Sequence, residues 1–247
     1  MENSEFYRGH GSYSAKCVLK SGVVIPPTLS NPPLTGELYA TARLNTIDDG
    51  LVYFTKNQAF ACLYALKEAG VDKSKVEALL IQLFPGNTVE IENLRRFFAE
   101  RTFHAPLNHG DISKKIRSIR AQIRRLDTSV DGKEGLKNHT LQQKLTILEG
   151  IPDKLDRLSA TQLAEIKDQY PVLMCFRGIV PRLQPLPPYI IDPSLRSDLE
   201  WSHDEPVPVD KVTDIYVPRE KVDDINQVLV ETRRSFIRVH TMMLDFK

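Results

Sequence analysis

Three cysteines in 247 residues, at positions 17, 62 and 175, are too few and too scattered for a disulfide framework or a thiolate zinc site. Each sits among apolar neighbours and reads as a buried thiol in a reducing compartment. An excess of either charge is also lacking. Lys and Arg total 33 against 32 Asp and Glu, and the net charge of +1 gives no global pull toward nucleic acid or an anionic membrane. No apolar run approaches the length of a transmembrane helix, and Met1-Glu2-Asn3-Ser4-Glu5 does not read as a signal peptide, so the expected workplace is a cytosol. The chain has no phosphate-cradling Gly-rich motif with its lysine and no serine-hydrolase elbow. His104 and His109 lack Cys or carboxylates at ligand spacing, so no metal site is expected.

What is present is an ordinary globular composition, 41% hydrophobic and 26% charged, in a chain long enough for one large domain or for a core with a sizeable insertion. Glu5 to Gly9 predicts a short strand. Ser14 to Ser21 predicts a one-sided helix with Gly22 as its C-cap, followed by extended Val23-Val24-Ile25. Prolines from Pro26-Pro27 to Pro32-Pro33 enforce a loop. Asp48-Asp49-Gly50 turns into a strand from Leu51 to Thr55, and Asn57 caps a helix from Gln58 to Glu68 closed by Gly70. The pattern is then helical to about residue 169, with segments at Ser74–Phe84, Val89–Glu100, Leu141–Leu148 and Lys154–Asp168. Ile112, Ile116, Ile119, Ile123 and Leu126 form a seam at intervals of four, three, four and three. The other faces of that helix carry Lys114, Lys115, Arg117, Arg120, Arg124 and Arg125. Val172 to Phe176 is a continuous apolar strand of the kind buried on both faces. Leu199–Ser202 and Val212–Val217 are further strand candidates, and Val228–Met242 fits either a closing strand pair or a helix. The order, β-rich then helical then β-rich, predicts one α+β core, residues 1–67 and 170–247, split by a helical insertion over 68–169.

Two early segments carry more. Tyr7-Arg8-Gly9 precedes Val18-Leu19-Lys20-Ser21-Gly22 and Pro26-Pro27, and Gly50-Leu51-Val52-Tyr53-Phe54 precedes Tyr64, eleven residues after Tyr53. At this spacing the chain resembles the ADP-ribosyltransferase superfamily, nearest in motif to its poly(ADP-ribose) polymerase and diphtheria-toxin branch. Residues 6–67 and 170–220 carry the resemblance. It implies a split β core, with Val172–Phe176 similar to the family's central strand and Leu199-Glu200-Trp201 similar to its catalytic-glutamate strand. The departure is Arg8, which stands where that branch has His; the cholera-toxin-like branch has Arg there but a Ser-Thr-Ser second strand, unlike Tyr53-Phe54-Thr55.

The resemblance implies NAD as substrate and transfer of ADP-ribose to a protein acceptor. That chemistry passes through an oxocarbenium-like state, which a carboxylate at the ribose stabilises; Glu200 is the first candidate and Glu205 the second. Tyr53 and Tyr64 would sandwich the flat cationic nicotinamide, and Ala61 would lie near its amide. Arg8 would fork onto a diphosphate or ribose oxygen, Gly9 would let backbone approach the amide, and His10 is the alternative ribose ligand. The helical insertion would cover the cleft or recognise the acceptor, with the basic helix 112–126 available to an anionic partner; nucleic acid is not expected as a partner. A free-standing enzyme of this kind suits a bacterial effector or toxin working in a host cytosol. The competing expectations are an inactive scaffold on the same fold, and an RNA 2′-phosphotransferase, which would need several arginines converging on a phosphate.

Overall fold

A computed structural model describes residues 4–24, 52–69, 109–126, 148–153, 156–183 and 201–242, with isolated helical positions at 76, 78, 81, 141, 142, 145 and 146. The elements in chain order are β1 (Phe6–Gly11), α1 (Ser12–Ser21), β2 (Val23–Val24), β3 (Val52–Phe54), α2 (Gln58–Glu68) and α3 (His109–Leu126). There follow α4 (Ala160–Lys167), β4 (Pro171–Phe176), β5 (Arg182–Leu183), β6 (Trp201–His203), β7 (Val207–Pro208), β8 (Val212–Val217), α5 (Val222–Glu231) and β9 (Arg238–Thr241). The fold class is mixed helix and sheet, compatible with α+β. The chain divides into two compact units, 1–26 with 50–102 and 168–247, and 27–49 with 103–167. This division differs from the one read in the sequence over residues 27–49, 68–102 and 168–169.

In the first unit, one sheet has the order β1-β4-β8-β9, antiparallel except for the parallel β8–β9 pair, and a second has the order β3-β6-β5. Strand β2 pairs with β7. Strand β4 is buried at all six positions, as its unbroken apolar run predicts. Its Val172, Met174 and Phe176 meet Ala15 and Leu19 of α1 and Ile225, Val228 and Leu229 of α5 in the main core, while α2 packs on β1 and β4. Helix α1 ends where Gly22 takes a left-handed φ of 81° and donates its N–H to the Val18 carbonyl, the C-cap that only glycine adopts without cost. Helix α2 begins where Asn57 Oδ1 accepts the Phe60 N–H at 2.9 Å.

The ambiguous stretch at Val228–Met242 resolves into the end of a helix followed by a single strand, not a strand pair. Helix α5 starts earlier, at Val222, and the chain returns as β9 parallel to β8. Ile225, Val228 and Leu229 are its buried face, and Asp223 and Asp224 occupy its first turn, where the helix dipole favours acids. In the second unit, α3 buries Ile112, Ile119 and Ile123 and leaves Lys114, Arg117, Arg120, Arg124 and Arg125 exposed, as the seam predicts. The helix read over Lys154–Asp168 is interrupted instead. Residues 157–159 form a turn, and Ser159 and Gln162 exchange backbone and side-chain hydrogen bonds in a capping box that starts α4 afresh. The proline loop at 26–33, the turn at Asp48–Gly50, Gly70, Val89–Glu100 and the connector after α3 lie outside the described residues.

Candidate functional site

The two larger sheets meet at one antiparallel backbone bridge among the described residues. Tyr7 N–H donates to the Thr55 carbonyl at 2.7 Å, and Thr55 N–H donates to the Tyr7 carbonyl at 3.0 Å. In a strand, both backbone groups of a residue point to one edge, and the edge alternates along the chain. Tyr7 therefore spends its groups on β3, and the ladder to β4 is made by Phe6, Arg8 and His10, opposite Phe176, Met174 and Val172. Pro171 pairs with Gly11, a non-bonded position, so its missing N–H removes no ladder bond. By the same alternation Gly9 presents its N–H and C=O to the β3 edge. In the antiparallel register set by the Tyr7–Thr55 bridge the residue opposite Gly9 is Tyr53, yet the ladder stops at the bridge: no backbone hydrogen bond joins Gly9 to Tyr53, whose carbonyl takes the Arg8 side chain instead. The next N–H on this edge, that of Gly11, is taken by Glu68 Oε2 at 2.9 Å.

Gly9 itself is required by packing. A Cβ built on it would lie 2.1 Å from the Ala61 carbonyl oxygen and 2.5 Å from the Ala65 nitrogen, both backbone atoms of α2. Ala61 is thus buried against Gly9, and the pair lets α2 lie directly on β1. The face of Gly9 is closed by the helix, while its edge toward β3 stays open. Tyr7 and Gly9 share the face that α2 covers, and Thr55 lies opposite Tyr7, so alternation puts Tyr53 on that same side. Tyr64 is on α2, half-buried and edge-on to Phe60 with ring centroids 5.5 Å apart. The two candidate tyrosines thus belong to the same side of the split.

Arg8 and His10 face the core side of β1. Arg8 is half-buried, and its Nη1 donates to the Tyr53 carbonyl at 2.7 Å, tying β1 to β3 by a side chain as well as by the bridge. His10 is 3% exposed. Burial, helped by the Arg8 charge, holds its imidazole well below the ordinary histidine value, so the ring is neutral at physiological pH. Its Nδ1 lies 3.4 Å from Ser14 Oγ, and its Nε2 has no hydrogen-bond partner. Tyr7 donates to Glu5 Oε2 at 2.6 Å and Arg177 pairs with Glu5 Oε1, so Glu5 is held below its ordinary pKa, by Tyr7 first and Arg177 second.

On β6, Trp201 pairs with Phe54, Ser202 with Tyr53 and His203 with Val52. Trp201 packs edge-on to Phe6 at 5.4 Å, and Lys56 Nζ stands 4.3 Å from the Trp201 ring centre. Glu200 immediately precedes β6 in sequence and lies outside the described residues. Glu205 is exposed in the turn after β6, where its N–H donates to His203 Nδ1 at 3.1 Å.

Among the described residues no cluster of His, Cys, Asp or Glu could hold a metal ion, and no helix is long and apolar enough to cross a membrane. None of the three cysteines forms a disulfide, and burial pushes Cys62 up to about 12 and Cys175 up to about 11, out of reach of thiolate chemistry. No protein-family model, curated protein or solved structure matches this chain. Sequence reasoning missed Glu68, whose only local signal is its place on the Ala61–Ala65 face of α2, and Lys56, which no motif marks.

Proposed function

We propose that this chain is an NAD-dependent mono-ADP-ribosyltransferase acting on a protein acceptor, built on an ADP-ribosyltransferase-like split β core. One observation carries the reading: segments 6–11, 52–55 and 201–203, distant in sequence, lie on adjacent strands around the open backbone edge of Gly9. An N–H and a C=O side by side on an unpaired edge complement a primary carboxamide, which offers one acceptor and one donor in the same plane. Tyr53 and Tyr64, on one side of the split, supply aromatic faces for a flat cationic ring. Arg8 is positioned from the other face of β1, one residue from the open edge.

In this reading the bond between nicotinamide and the ribose C1′ breaks, and its electron pair leaves with neutral nicotinamide. The positive charge developing on the ribose is stabilised by the carboxylate of Glu200, one residue before Trp201. A nucleophilic side chain of the acceptor then forms the new bond to C1′ and gives up its proton to that carboxylate or to water. Glu205, exposed beyond β6, receives no support for this role. Of the arginines the phosphotransferase alternative would use, Arg8 is engaged by the Tyr53 carbonyl and Arg177 by Glu5, and Arg43 lies outside the described residues. The purified protein should release nicotinamide from NAD, and Glu200→Ala should slow that release at least about a hundredfold with an unchanged far-ultraviolet spectrum. A wild-type protein that neither binds nor consumes NAD, even with lysate proteins as acceptors, would end the proposal. A fully active Glu200→Ala would remove Glu200 from it.

A further inference from the structure

We infer that Glu68 is a specificity-determining residue that selects a carboxamide over a carboxylate at the Gly9 edge. The inference rests on the proposed nicotinamide site and deepens it. Along a strand each residue's N–H precedes its C=O, so the open edge runs in the order Gly9 N–H, Gly9 C=O, Gly11 N–H. A primary carboxamide docked there sets its oxygen on the Gly9 N–H and its NH2 on the Gly9 C=O, with the NH2 on the Gly11 side. Gly11 is two residues further on, about 7 Å at strand rise. The group found at that point is a half-buried carboxylate, Glu68 Oε2, 2.9 Å from the Gly11 nitrogen.

A carboxylate at that end of the edge has two consequences. It accepts the second N–H of the amide, directly or through one water, and it opposes any ligand that carries oxygen and negative charge there instead. Nicotinic acid differs from nicotinamide at that group alone. Arg8 rises from the opposite face of β1, but its Nη1 is on the carbonyl of Tyr53, the residue across from Gly9, so a cation borders this edge; its pull on an acid is common to wild type and a Glu68 variant, and the difference between the two reports Glu68. Helix α2 fixes the carboxylate, since Ala61 and Ala65 seat the helix on Gly9 and Glu68 follows on the same face.

The test is calorimetric titration of the full-length protein with nicotinamide and nicotinic acid. Wild type should prefer nicotinamide to nicotinic acid. Glu68→Gln keeps an acceptor for the Gly11 N–H but loses the charge, and it should narrow that preference about tenfold. If Glu68→Gln does not fold, Glu68→Asp, which keeps the charge but draws it back from the edge, should narrow the same preference. An unchanged acid-to-amide ratio in the folded variant would overturn the inference and leave the transferase reading standing. Wild type that binds neither nicotinamide nor NAD would overturn both.

Discussion

His10 is a buried base that folding keeps neutral, and that has a measurable consequence. Its value in the unfolded chain is the ordinary 6.5 and its folded value is well below that. As pH falls below 6.5 the unfolded chain takes up the proton first, so stability is complete above that point and erodes as pH drops toward the folded value. Equilibrium unfolding in urea between pH 7 and pH 5 should therefore show a declining free energy in wild type and a flatter profile in His10→Leu; equal slopes would mean that His10 is not held neutral. Asp214 belongs to a lower window. Burial would raise it, but hydrogen bonds, chiefly from His240 at 2.7 Å, outweigh burial and hold it below its ordinary value, so its contribution is lost only in stronger acid. Gly9 is a second residue whose effect follows from one contact. Gly9→Ala drives a methyl into two backbone atoms of α2 that have no rotamer to change, and should cost about 2–3 kcal/mol in the same assay. A neutral result would mean that α2 shifts away from β1.

At the level of elements, the legible parts of the fold were those that local chemistry decides. Gly22 and Asn57 announce the end of α1 and the start of α2, and the isoleucine seam of α3 and the apolar run of β4 state their own burial. Helix α5 was harder to read because Val228 and Val230 favour strands, and a tertiary contact, the docking of Ile225, Val228 and Leu229 into the core, overrides that preference. The Val222, Ile225, Leu229 spacing, with two first-turn aspartates inside it, was the available signal. The capping box at Ser159 was likewise visible as Ser-x-x-Gln, but it sits inside a helical pattern that conceals it. In the candidate site the motif residues could be named, but the open edge of Gly9 could not, because it depends on where β3 stops pairing with β1. Glu68 was invisible for the same reason: its importance comes from the register of α2 on β1.

The whole molecule is two compact units, and each has a buried element of its own to perturb. Scanning calorimetry should resolve two transitions. Ile119→Ala, which empties a side chain only 1% exposed in α3, should lower one of them by about 2–4 kcal/mol, and Gly9→Ala should lower the other. A single transition moved by both substitutions would show that the units unfold as one. Within the first unit, the bridge between Tyr7 and Thr55 has a mechanical meaning. Two backbone hydrogen bonds, each worth about 1 kcal/mol net, are the only main-chain link described between a four-stranded and a three-stranded sheet. The rest of the joint is side chains: Phe54 meets Phe176 and Phe6 meets Trp201 edge-on, and Arg8 reaches the Tyr53 carbonyl. Tyr53 belongs to one sheet and Gly9 to the other, so a ligand held between them would brace the two sheets against each other where the backbone ladder does not.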